Sequence, residues 1–204
     1  TVNTIQDAGG NTIIASDGSG TITSYGFTGA MRFINQVTAS NAASVSFTTG
    51  IDSTYDVYRF VFVSMNPATD ATQFTFQAST DGGSSYGVTT TSTYYQAYSK
   101  EEDTTTGFAY MASHDVNGTD YVILGNTWGN AADECGGGDL LLYAPSSTTY
   151  VKHFYSTTQS YHKDNASLEL FVAGYLNTTS AIDAVQFKMS SGNFDGTIKM
   201  FGVK

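Results

Sequence analysis

The stretch Tyr55-Asp56-Val57-Tyr58-Arg59-Phe60-Val61-Phe62-Val63-Ser64-Met65 decides the fold. It is apolar or aromatic at both alternations, whereas a half-buried strand alternates with period two. Such a strand is expected to be covered on both faces, by a sheet or a sister subunit over each side. Asn66-Pro67-Ala68-Thr69-Asp70 reads as the turn that follows, with Pro67 outside the ladder because proline has no N–H to donate. The next run, Thr72–Ser79, alternates: Phe74, Phe76 and Ala78 are expected inward, Gln73, Thr75 and Gln77 outward.

Working outward from this hairpin, Met31–Val37 and Val45–Phe47 read as strands before it, and Thr93–Tyr98 as an aromatic strand after it. Phe108–Met111 and Tyr121–Leu124 are short strands. Lys100–Gly107 is an exposed acidic loop, and Gly125–Gly138, which holds Trp128, Cys135 and three glycines in a row, reads as a long irregular segment of the functional or interface kind. Asp139–Ala144, Tyr150–Thr157, Leu168–Leu176, Ile182–Met189 and Gly196–Val203 close the chain as strands. No stretch of 11 residues has a helical period. Eight to eleven short strands with polar turns predict an all-β fold, an antiparallel β-sandwich or barrel.

Residues 1–24 read differently. Asn11–Ser16 and Thr21–Ser24 flank the glycine-rich turn Asp17-Gly18-Ser19-Gly20, a hairpin with few large apolar groups. An isolated hairpin is barely stable in water, so residues 1–24 are expected to be an arm or anchor hairpin and residues 25–204 the β-sandwich domain. Gly20–Phe27 echoes Gly196–Val203; either the two lie side by side in one sheet or, at this length, the echo is coincidence.

With 8 basic and 18 acidic residues in 204, the net charge is −10. A nucleic-acid binder needs a basic face to displace counterions, so no nucleic acid is expected as a partner. Adhesion to anionic membranes is disfavoured too, and no apolar run approaches the roughly 18–20 residues of a span. The chain opens on Thr1 without a basic start and apolar core, so no signal peptide is read. Charged residues are only 13% of the chain, about half the usual roughly 25%; Thr, Ser, Asn, Gln and Gly supply the polar surface. One cysteine, Cys135, permits no intrachain disulfide, and Asp133 and Glu134 beside it work against a reactive thiolate.

The chemistry-bearing patterns are sparse. Ser79-Thr80-Asp81-Gly82-Gly83-Ser84-Ser85-Tyr86 approximates the Asp-box of sialidase-type propellers, but it occurs once, and one copy reads as a turn held by the Asp81 side chain. Asp115-Val116-Asn117-Gly118-Thr119-Asp120 is the first half of a calcium loop without its closing glutamate. His114, His153 and His162 lack zinc spacing. No Gly-x-Ser-x-Gly elbow is present, and Gly136-Gly137-Gly138 has Asp139 where a phosphate loop has lysine. No catalytic, cofactor-binding or metal residues are assigned, and the protein is expected not to be an enzyme. The 14 Tyr, 13 Phe and 1 Trp are the notable supply; they fill a core and a subunit interface, or, exposed on a face, stack on sugars.

Four stretches carry a resemblance: Ile51–Tyr58, the Met65–Asp70 turn, the Ser79–Tyr86 turn and the closing Gly196–Val203. Together they resemble virion proteins of marine tailed bacteriophages, and the opening Thr4–Thr12 is similar to the leader of phage fibre and appendage proteins. The resemblance implies a jelly-roll-like sandwich in a non-enzymatic structural part of the virion. That part would be a capsid decoration or a head or tail fibre component, joined to other capsid or tail proteins through residues 1–24. A homo-oligomer, most plausibly a trimer, is expected to cover the doubly apolar strand. The alternative is a receptor- or carbohydrate-binding module of a tail fibre, with a host-surface glycan as partner.

Overall fold

The fold is described by a computed structural model, which defines residues 3–19, 22–24 and 31–204. The first strands are β1 (Thr4–Gln6), β2 (Thr12–Ser16), β3 (Ile22–Ser24), β4 (Met31–Ala42), β5 (Val45–Phe47), β6 (Val57–Pro67), β7 (Thr72–Ser79) and β8 (Thr90–Lys100). They are followed by β9 (Thr106–Tyr110), β10 (Asn117–Gly118), β11 (Val122–Trp128), β12 (Gly136–Tyr143), β13 (Lys152–His162), β14 (Ala166–Leu176), β15 (Ala184–Met189) and β16 (Phe194–Val203). The only helical turn among the described residues is the 3-10 turn Ala112–His114. The chain divides into two compact units, Thr1–Arg32 and Phe33–Lys204.

In the first unit, β1, β2 and β3 form a three-stranded antiparallel sheet. The expected hairpin is therefore one strand short, because Thr4–Gln6 adds itself to β2. Asp7 shapes the first connection: its Oδ1 accepts the backbone N–H groups of Gly9 at 2.8 Å and Asn11 at 2.9 Å. The echo of Gly196–Val203 lies largely outside the described residues.

The second unit is the predicted all-β antiparallel sandwich, jelly-roll-like in form. Its large sheet runs β4-β16-β6-β12-β13-β14-β8, with β9 and β10 beyond β8. The small sheet runs β11-β7-β15-β5. A single residue pairing, Trp128 with His162, joins the two at one corner. Aromatic rings fill the space between them. Phe187 of β15 meets Phe60 and Phe62 of β6 at 5.4 and 5.3 Å, and Phe47, Phe74 and Phe76 of the small sheet at 6.4, 5.9 and 6.3 Å.

The strands refine several expectations. Within the described residues of the second unit no layer covers the outer face of β6: Tyr58, Phe60, Phe62 and Met65 are buried, but Val57, Arg59 and Val61 are half-buried and Val63 is exposed, which leaves the expected cover to a sister subunit. Inward positions shift from even to odd between Phe62 and Met65 because Ser64, at φ +51°, is an extra residue, and pairing with β12 and β16 shifts register there. β7 departs the other way. Thr75 and Gln77, expected outward in solvent, are buried: Thr75 Oγ1 donates to the Lys188 carbonyl at 2.9 Å, and the segments at 88 and 119–120 reach Gln77. Gln77 Nε2 donates to the carbonyls of Val88, Thr119 and Asp120 at 3.2, 3.0 and 3.0 Å.

Gly125–Gly138, expected irregular throughout, is strand at 125–128 and 136–138 and irregular between them. Trp128 is wholly buried, and a Cβ added at Gly125 or Gly136 would fall 2.4 or 2.7 Å from its indole. Gly125 and Gly136 make room for a core ring. Pro67, expected in the turn, is the last residue of β6, opposite Phe194, where its missing N–H costs no interior ladder bond.

Candidate functional site

The outer face of the large sheet follows from strand register. One row runs Tyr110, Tyr95, Phe171, Thr157, Asp139, Val61, Lys199 across β9, β8, β14, β13, β12, β6 and β16. The row beside it runs Thr93, Ala173, Tyr155, Leu141, Arg59, Phe201. Strands lie about 4.8 Å apart, so the two rows are roughly 29 and 24 Å long. Because direct cross-strand neighbours share a face, the aromatic and aliphatic members form one surface.

The geometry along these rows is specific. Tyr95 stacks on Phe171 with centroids at 4.9 Å and planes 13° apart, and Phe108 leans on Tyr95 at 5.4 Å. At the far edge Phe33 meets Phe201 edge-on at 5.7 Å. His153 and Tyr175 are neighbours at 6.1 Å. Between the aromatic groups Arg59 Nε donates to Asp139 Oδ2 at 2.6 Å. Both side chains remain partly exposed, 41% and 23%, so this ion pair contributes little to folding, about 0–1 kcal/mol. Covered by a partner, a paired charge of this kind sets register.

Asp81 holds the Ser79–Tyr86 turn as expected. Its Oδ1 accepts from Ser79 Oγ at 2.6 Å and from the Ser85 N–H at 2.9 Å. The Ser79 and Ser85 hydroxyls hold its carboxyl well below the ordinary 3.8, at about 2. Ser79 Oγ also accepts from the Gly83 N–H at 3.0 Å.

The half calcium loop is used for structure. Asn117 and Gly118 are β10, paired with Thr91 and Thr90, and Asp115 accepts from the Tyr110 hydroxyl, which raises the Tyr110 pKa. His114 stacks on buried Tyr94 at 4.9 Å. His153 lies on the outer face, and His162 opposite Trp128. Cys135 is exposed. Among the described residues no three His, Cys, Asp or Glu side chains come together to hold a metal, and no helix is long and apolar enough to cross a membrane.

The outer rows were invisible to sequence reasoning because they need the register of seven strands. One signal was present: Val57, Val61 and Val63 stand outward on a strand whose other face is fully aromatic. In comparison with known proteins, no family model, no curated protein and no solved structure matches the chain.

Proposed function

We propose that the protein is a non-enzymatic structural part of a tailed-phage virion, a β-sandwich that joins copies of itself through the outer face of its large sheet. The observation that carries this reading is the set of large hydrophobic residues on that face. Phe33, Val63, Phe108, Tyr110, Tyr143 and Tyr155 are 38–72% exposed, whereas folded monomers seldom leave such groups contiguous. Aromatic residues around a central Arg match the composition of interface cores. The trimer suggested by the resemblance would cover the outer face of β6. Residues 1–24 would attach it to the capsid or tail, and the charge-poor polar surface suits a part displayed outside the particle.

Sedimentation equilibrium tests the assembly. The native chain is expected as an oligomer at micromolar concentration, and the double variant F108D/Y155D as a folded monomer. A monomeric native chain overturns the reading. Attachment is tested separately by deleting residues 1–24: the remaining domain should stay folded and fail to enter particles, whose density map locates the chain on head or tail. A second reading, glycan binding on the outer face, rests on half-buried Tyr95 and Phe171 in one row and exposed Tyr155 in the next; a glycan array without hits removes it.

A further inference from the structure

The large sheet is wider than the small sheet that covers its inner face. Where it overhangs, a cleft of about 350 Å³ is walled by Gln96, Tyr98 and Lys100 of β8, Ala166 and Leu168 of β14, His162 of β13, and Thr105 just before β9. The six strand residues occupy even positions, the same face as buried Tyr94, Leu170 and Ser160. The cleft is at the small end of the range for ligand sites, and it lies behind the surface proposed for self-association.

The uncommitted polar groups here are donors. Lys100 forms no ion pair among the described residues. Glu102 in the adjoining loop feels its charge but is bonded to Thr105. His162 Nδ1 accepts the Asp164 N–H at 3.1 Å, so the neutral ring carries its hydrogen on Nε2, which has no partner among the described residues. Gln96 Oε1 accepts the Tyr94 hydroxyl at 3.3 Å, which leaves its NH₂ as the free end. One step along β13 from His162, Ser160 is wholly buried and outside the cleft lining, and its hydroxyl has no partner among the described residues. Buried polar groups normally find one. A concentration of donors in a protein of net charge −10 runs against its overall composition.

We infer that this cleft binds a monoanionic sugar acid of the hexuronate class, with its carboxylate at Lys100 Nζ and His162 Nε2–H and its ring against Tyr98 and Leu168. One ammonium beside a neutral imidazole balances one negative charge, which favours a carboxylate over a phosphate dianion. The apolar wall of Ala166, Leu168 and the Tyr98 ring suits a pyranose face. The Gln96 NH₂ supplies a hydrogen bond to a ring hydroxyl. The net negative charge of the whole chain opposes anion binding, so the affinity is expected to be millimolar.

The test is a titration of the ¹⁵N-labelled full chain, followed by amide NMR shifts, with D-glucuronate, D-glucose and inorganic phosphate in parallel. Glucuronate is expected to give saturable shifts at the amides of 96–100, 162 and 166–168, glucose none. K100Q, with a dispersed spectrum that shows it folded, is expected to weaken glucuronate at least tenfold. No saturable shift with glucuronate, an equal response to glucose, indifference to K100Q, or a response to phosphate alone each overturns the inference. Self-association is measured on the other face of the sheet and is unaffected by these outcomes.

Discussion

β6 and β7 face each other across the core, and their burial reverses the impression their sequences give. β6 looks sealed on both faces yet leaves Val61 half-buried and Val63 exposed. β7 looks like a strand with one wet face yet buries Thr75 and Gln77. The difference lies in what crosses over each strand. Loop carbonyls lie over β7, and a polar side chain can be buried where acceptors await it. Nothing within the described residues of the second unit offers β6 an equivalent layer. Periodicity reports which groups avoid water and is silent on where the cover comes from.

The comparison can be broken at its hinge. Phe187 touches the rings of both strands, and F187A is expected to cost about 3–5 kcal/mol in urea unfolding; a loss under 1 kcal/mol would mean the sheets are not held together there. Next in size, Q77A leaves three carbonyls without their donor and should cost about 1–3 kcal/mol. A polar change on the open side of β6 should behave differently. V61T is expected to change monomer stability by no more than about 0.5 kcal/mol while weakening self-association in sedimentation. A large stability loss would show that the outer face of β6 is covered within one chain.

The smallest effect is at the turn that ends β7. The Asp81 carboxyl is held at about 2 against an ordinary 3.8. A depressed carboxyl stabilises the fold above its unfolded value, and that contribution is lost as pH falls from 3.8 towards 2. D81N should therefore lower the melting temperature at pH 7, and the gap to the native chain should close as pH falls from 3.8 towards 2.

Much of the architecture was legible. Alternation located most strands of the second unit, and Asp81 was identified as the residue holding its turn. Strand ends were the weaker part: β13 extends to His162 and β4 to Ala42, because polar residues such as Gln159 and Asn41 continue a ladder when neighbours on both sides supply partners. The Gly125–Gly138 stretch misled because glycine signals loops and close packing alike, and only the position of the Trp128 ring separates the two. The candidate surfaces were legible as composition, an excess of Tyr and Phe, but not as places. Tyr95 and Phe171 are 76 positions apart in the chain and meet only through the pairing of β8 with β14.

The extra residue at Ser64 has an evolutionary corollary. It separates β6 into two segments with opposite parity, so removing any one residue between Val57 and Phe62 would exchange the aromatic and aliphatic sides of everything before it. Homologous chains should therefore keep the length of this strand while drifting in composition, and accommodate insertions in the acidic 101–105 loop, where one more residue displaces nothing.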